Sequence, residues 1–304
     1  MVSISSSWEI GELVLNIKTK VSIITSVYLD LEGLKKTSAS ILCQSYSVEW
    51  IVVDSDSGSE IRKFLSNWKS PKHEISWISE KDRGLYDGMN KGFSMASGNI
   101  ILFLNADDEL ANMHTIEEVV RSYEEDKWNW AVGLAVRVNK LGEPRMVWEY
   151  YKPSLGGLAL GTRTFCHQAT YYTRNLLEKI MPYTIDNLAA DHHLNIKAFK
   201  ISSPKMLTFV TCIFMDGGVS SNRPMRAAFK DLRRIRSQEG ILLLNSIVLD
   251  VILSYFAIAF IKVGGFVWSL LRKLGNNIVG ESYKPIYTEY QANTNMWTDA
   301  DRRS

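Results

Sequence analysis

Cysteine is scarce in these 304 residues: only Cys43, Cys166 and Cys212 occur, far apart and in apolar surroundings. That excludes a disulfide-stapled scaffold and a CxxC metal knuckle, and predicts buried free thiols in a reducing compartment. Excess charge is lacking too, with 35 Lys and Arg against 33 Asp and Glu. No global field recruits nucleic acid, and any basic surface must be local. Seven prolines and 19 glycines are too few for a collagen-like or linker-dominated chain. Neither GxxxxGK(S/T) nor GxGxxG occurs, which removes the P-loop and Rossmann fingerprints. Met1 to Lys20 has no basic stretch followed by an apolar run, and Glu9 and Glu12 interrupt it, so no targeting signal is expected there.

What is present is an alternation of short β-branched runs with helical periods. Val21–Val27, Glu49–Asp54, Ile75–Glu80 and Asn99–Asn105 read as strands, too short for helices. Between them Leu31–Gln44, Glu60–Trp68 and Leu85–Ala96 carry helical spacing, the last with Leu85, Met89, Phe93 and Ala96 on one face. This predicts an α/β fold, a mainly parallel sheet flanked by helices. Beyond Thr115 the alternation fades. Trp130–Asn139 and Met146–Tyr151 read as strands joined by a turn at Leu141–Pro144, with further strands at Thr164–Thr173 and Lys205–Phe214 and a helix at Asp191–Lys200. One mixed domain over residues 1–222 is expected.

The polar residues fall at strand ends. Strand two ends at Asp54, the third runs into Asp82 and Arg83, and the fourth into Asn105, Asp107 and Asp108. Ligands of open α/β sheets bind outside the carboxyl ends of the strands, so three consecutive strands bring acids to one rim. One such Asp is an ordinary turn former; three sets including a doublet predict a binding rim. The charges of Asp107 and Asp108 repel, and a hard cation, Mg²⁺ or Mn²⁺, relieves that. Such ions take one or two carboxylates plus substrate phosphates, so a diphosphate ligand is expected. Lys81, Arg83 and Lys91 are nearby candidates for its phosphates.

The stretch Ser79 to Asp108, SEKDRGLYDGMNKGFSMASGNIILFLNADD, resembles family 2 glycosyltransferases of the GT-A fold, in particular bacterial enzymes that build capsule, exopolysaccharide or O-antigen units. Val52–Asp54, Cys166–Gln168 and Ala189–Leu194 extend the resemblance across Val21 to Asn222. It implies transfer of a sugar from a nucleotide donor, UDP-linked, with inversion at the anomeric carbon. By position, Asp54 and Asp82 contact the nucleoside, Arg83 joins the donor site, Asp107 sits near the ribose or donor sugar, and Asp108 holds the metal. His167 and Gln168 lie near the sugar or acceptor, and Asp191 is the general base; on residues alone, Asp191 would equally serve as a helix cap. Consecutive His192 and His193 diverge by about 100° on a helix, which opposes a zinc site. The family's Asp-Gly-Gly-Ser-Thr-Asp is here Asp54-Ser-Asp-Ser-Gly-Ser59, so the later Asp is lost and Asp56 is new.

The C-terminal third is an appendage. Arg223, Arg226, Lys230, Arg233, Arg234 and Arg236 stand against one acid, Asp231, and Ile241–Ile261 is almost wholly apolar. That run reaches spanning length, about 20 residues. Ser246, Asp250 and Ser254 line up as a polar stripe, and a charged Asp at mid-bilayer costs about 2.5–3.5 kcal/mol on insertion scales. A helical membrane-association region over residues 223–274 is expected, in-plane or re-entrant, with a spanning segment and helix self-association into a homo-oligomer as rivals. Basic anchors suit the inner face of the cytoplasmic membrane, and lipid-linked saccharide acceptors would explain them. The polar tail, residues 275–304, has no functional reading. The expected protein is a cytoplasmic, peripherally membrane-associated, metal-dependent transferase; rivals are a sugar nucleotidyltransferase or a non-catalytic sugar-nucleotide or polysaccharide scaffold.

Overall fold

The computed structural model describes residues 18–139, 142–148, 153–161, 164–215, 224–242, 246–252, 255–256 and 259. The N-terminal segment to residue 17, much of the apolar run beyond 252, and the 275–304 tail lie outside the described residues. A nine-stranded sheet dominates. Its strands are β1 (Val21–Val27), β2 (Glu49–Asp54), β3 (Glu74–Ser79), β4 (Ile100–Phe103), β5 (Glu109–Leu110), β6 (Trp130–Val138), β7 (Pro144–Trp148), β8 (Thr170–Thr173) and β9 (Lys205–Met215). The order is β3-β2-β1-β4-β8-β6-β9-β5, with β7 paired to β6.

The first four strands pair in parallel, so their carboxyl ends share one edge. Every residue of β1 and β2 is buried, as strands covered on both faces require. Side chains alternate across the sheet: Val21, Ile23, Trp50 and Val52 join one core, Ile24, Ile51, Ile101 and Phe103 the other. The edge strand β3 is exposed on alternate residues near its start. The helices that follow are α1 (Leu31–Leu42), α2 (Ser59–Asn67) and α3 (Leu85–Met95). Helix α3 lies so close on the sheet that a Cβ on Gly92 would stand 2.3 Å from Ile24 Cγ2.

The second half reverses direction. Strand β8 runs antiparallel to β4, β6 antiparallel to β8, and β9 parallel to β6. Its helices are α4 (Thr115–Asp126), α5 (Leu155–Ala159), α6 (Arg174–Ile180), α7 (Ala190–Ile201) and α8 (Met225–Gln238). The expected strand over Thr164–Thr173 forms only at Thr170–Thr173. His167–Ala169 is a 3-10 turn, because the Cys166 carbonyl accepts from the Ala169 amide at 3.1 Å and the Thr170 hydroxyl at 2.7 Å. Sequence reading missed α4 and α6. In α4 the buried face is a thin strip, Ile116, Val119 and Val120, among acids. Among the described residues no helix is long and apolar enough to cross a membrane.

Candidate active site

Asp54, the last residue of β2, is fully buried. Its carboxylate accepts from the Ser79 hydroxyl at 2.6 Å and the Ser57 amide at 3.2 Å, tying together the loops after β2 and β3. Asp56 pairs with Arg62 in the same loop. Asp82 accepts from the Ser55 hydroxyl at 2.7 Å and the Gly84 amide at 3.0 Å. Gly88 lets α3 approach this corner, since a Cβ there would lie 3.0 Å from Ser26 Oγ and 3.2 Å from Asp82 Oδ2. Arg83 reaches back to Asp87 at 3.1 Å and is otherwise exposed. Tyr28 and Leu29 stand exposed just past the end of β1.

The acid doublet divides in two. Asp107 sits at φ 74°, a left-handed conformation that Asp tolerates better than most residues, and takes Lys36 Nζ at 2.6 Å. Asp108 turns inward, is buried, and accepts from Gln168 Nε2 at 3.0 Å. Burial pushes its carboxyl up to about 8; the Gln168 bond pulls the other way, and the negative charges of Asp107 and Glu109 add to the rise. Close by in the same loop, Asn105 Oδ1 is buried and has no hydrogen-bond partner among the described residues. An acid crowded by like charges beside an orphaned amide oxygen is an oxygen donor set that suits a hard divalent ion. Among the described residues no group of three or more His, Cys, Asp and Glu could hold a metal.

The second half supplies the facing groups. His167 is buried with neither ring nitrogen bonded among the described residues. It stacks on Phe103 at 5.5 Å and meets the Tyr183 ring edge-on at 6.0 Å. Burial lowers its pKa, and the nearby charge of Asp191 opposes that. Asp191 lies in the first turn of α7 and is not its cap; the cap residue is Ala189, whose side chain makes no capping bond. The Oδ1 atom of Asp191 accepts from the Tyr86 hydroxyl at 3.1 Å and the His192 amide at 2.8 Å. His192 and His193 bond in different directions, to the Leu158 carbonyl at 2.7 Å and to Glu239 at 2.8 Å, as two ligands of one ion would not.

A family model, glycosyl transferase family 2, matches residues 22–181. This chain belongs to glycosyltransferase family 2. The transferase is 31% identical over 223 residues to an uncharacterized glycosyltransferase of Mycobacterium tuberculosis, covering 71% of this chain and 82% of that protein. It is 30% identical over 143 residues to a PGL/p-HBAD biosynthesis glycosyltransferase of Mycobacterium bovis, covering 42% and 48%. Among solved structures, S. aureus TarS 1–349 in complex with UDP-GlcNAc aligns with a TM-score of 0.58 at 18% identity, over 71% of this chain and 65% of that one. The transferase thus spans slightly less than two thirds of the TarS chain. A mannosyltransferase from Pyrobaculum calidifontis in complex with GDP-Man and Mn²⁺ aligns with a TM-score of 0.54 at 16% identity, over 92% and 87%. The fold is of the GT-A type.

In this glycosyltransferase contacts join the residues picked out in the sequence into separate groups. Asp54 and Asp82 meet through the loop carrying Ser55; Tyr86, at the start of α3, reaches Asp191 and the Tyr183 ring, which meets His167, the sequence neighbour of the Gln168 that holds Asp108; Asp107 and Arg83 pair instead with Lys36 and Asp87. Sequence reasoning missed Lys36, Tyr86 and Tyr183, and placed Asn105 at the rim without giving it a role. Tyr86 sits within the most family-like stretch, but its partner lies 105 residues away, and no local pattern reports that.

Proposed function

We propose that this glycosyltransferase is an inverting, metal-dependent enzyme. It moves one sugar from a UDP-linked donor to a lipid-linked saccharide at the inner face of the cytoplasmic membrane, in bacterial surface polysaccharide synthesis. The observation that carries the reading is the contrast between two acids: Asp108, buried among like charges with its carboxyl raised to about 8, and Asp191, held at the rim by Tyr86. The first suits a cation and the second suits a proton acceptor. The UDP and UDP-GlcNAc complexes of TarS, and the Mn²⁺ of the archaeal mannosyltransferase, support the donor class and the cofactor.

Asp54 and Asp82 read the nucleoside, with Arg83 beside its phosphates and Asp107 at the ribose or donor sugar. Asp108, together with the Asn105 amide oxygen, would hold Mg²⁺ or Mn²⁺, which when bound stabilises the charge on a departing diphosphate. Gln168 orients Asp108 through its 3.0 Å bond, and His167, packed on Phe103 and Tyr183, backs the sugar or acceptor side of the site. Because Tyr86 and the His192 amide both bond Oδ1 of Asp191, we assign Oδ2 to take the proton of the acceptor hydroxyl as it attacks from the face opposite the leaving group. The basic and apolar C-terminal region keeps the enzyme peripherally on the membrane.

Thermal stabilisation by UDP, GDP, CMP and dTDP, each with and without Mn²⁺, tests the reading. A ligand at 100 times its dissociation constant adds about 2.7 kcal/mol. A manganese-dependent shift with UDP alone is expected; no shift with any nucleotide would overturn the donor site.

A further inference from the structure

The stretch after α8 is helical again over the described residues 247–252 and presents its faces the opposite way from a soluble helix. Its one described charge points inward. Asp250 is only 3% exposed and accepts from Arg236 Nε at 2.8 Å and Nη2 at 2.6 Å. Arg236, equally buried, also donates Nη1 to the Ala159 carbonyl of α5 at 2.7 Å. Its large apolar side chains point out: Ile247 is 58% exposed, Val248 67% and Phe256 69%, with Ile252 and Tyr255 also exposed. The acid that argued against a spanning helix in the sequence is thus neutralised against the protein body and does not oppose an in-plane one.

We propose that this outward face docks into the interfacial layer of an anionic lipid bilayer, the helix lying in the membrane plane. This deepens the membrane side of the function proposed above and rests on it, but not on the donor chemistry. Charge selects the occupant. Helix α8, joined to this segment by the Arg236–Asp250 pair, exposes Arg226, Lys230 and Arg234, which anionic headgroups attract. A second copy of this chain would bring a helix of the same basic charge, which offers these residues no complementary partner. The same ion pair excludes spanning: while Arg236 holds Asp250 against α5, the middle of the segment stays on the protein surface and the apolar face enters the bilayer only from the side.

Flotation of the full chain with phosphatidylcholine vesicles, with and without phosphatidylglycerol, tests this, using wild type and a Val248→Glu/Phe256→Glu double variant. Both positions are exposed, so the variant should fold; unchanged melting and unchanged UDP-dependent stabilisation would verify that. The expected result is flotation with phosphatidylglycerol vesicles, lowered by salt, and loss of about tenfold or more in partitioning for the variant. Equal flotation of variant and wild type would overturn the assignment of the face. Equal binding to neutral vesicles would overturn the anionic lipid. A wild-type dimer that the variant converts to monomer, without vesicle binding by either, would give the face to self-association. Vesicle binding that persists in a protein showing no nucleotide response would instead strike the donor reading and leave the membrane face standing.

Discussion

The two halves of the sheet carry the site in different ways. From β1 to β4 the strands are parallel and each ends at the same rim, where Asp54, Asp82 and the Asp107–Asp108 doublet stand at or after the ends of β2, β3 and β4. From β6 to β9 antiparallel and parallel pairs are mixed; here His167 and Gln168 reach the rim from a 3-10 turn before β8, and Asp191 from the first turn of α7. In the function proposed above the parallel half is the donor- and cation-binding edge. The mixed half supplies Gln168, which bonds Asp108, and Asp191 itself, which Tyr86 of the parallel half then holds.

Replacing Asp108 with Asn attacks the parallel half directly. Without its negative charge the loop loses its hold on a cation, and several kcal/mol of charge stabilisation go with it, so turnover should fall about 100-fold or more. Activity titrated against Mn²⁺ checks this; a variant that keeps full activity at wild-type Mn²⁺ levels would remove the metal role. Gln168→Ala strikes the same acid from the other half. Loss of an orienting bond to a metal ligand typically weakens the metal by about 10- to 100-fold, and the expected signature is a raised Mn²⁺ requirement with maximal rate restored at saturation. If Mn²⁺ dependence is unchanged, the two halves are not coupled through the Gln168–Asp108 bond.

Tyr86→Phe sharpens the division, because Tyr86 belongs to α3 yet touches Asp191. A hydrogen bond to a charged group is worth about 1.5–3 kcal/mol, so a fall in kcat of about tenfold or more is expected, with the donor KM unchanged and the pH–rate profile displaced. A changed donor KM with an unmoved profile would make Tyr86 a donor-side residue only. The smallest functional effect is expected at Glu49, which opens β2 away from the rim. Burial raises its carboxyl, but bonds from Ser22, from the hydroxyl and amide of Ser97 and from Lys20 outweigh that and hold it down to about 2. With the folded value below the unfolded one, its stabilisation is complete above the ordinary carboxylate range and is lost as pH falls from there toward 2. The shift corresponds to about 3 kcal/mol. Glu49→Gln should flatten the acid limb of the stability profile while leaving neutral-pH turnover near wild type; an unchanged acid limb would contradict the assignment.

The same contrast explains what was legible in the sequence. Strands β1 and β2 match their expected limits, and β3 and β4 differ by a residue or two, because a fully buried parallel strand is written as an unbroken β-branched run. The acid rim followed from the same pattern, since Asp54, Asp82, Asp107 and Asp108 each come just after a strand. The mixed half was legible only in part: β6, β9 and α7 fall within a residue of their expected limits. Its short strand at Thr170–Thr173 and the turn before it are set by carbonyl bonding at Cys166, and its thin-faced helices α4 and α6 passed unseen. Lys36 and Tyr86 meet their acids across 71 and 105 residues, distances over which no periodicity carries information. Asp250 shows the converse: the sequence placed a lone charge in an apolar run, and only the fold shows Arg236 closing over it.

The most direct test of the central claim, that Asp108 and Asp191 divide donor activation from proton removal, is donor hydrolysis by wild type and Asp191→Asn, with UDP-dependent thermal stabilisation measured in parallel. A positioned base contributes about 100- to 10,000-fold. The account predicts Mn²⁺-dependent hydrolysis in wild type, a loss of that order in Asp191→Asn, and undiminished UDP stabilisation in both. Hydrolysis unaffected by the substitution, or UDP binding lost along with it, would contradict the division of labour.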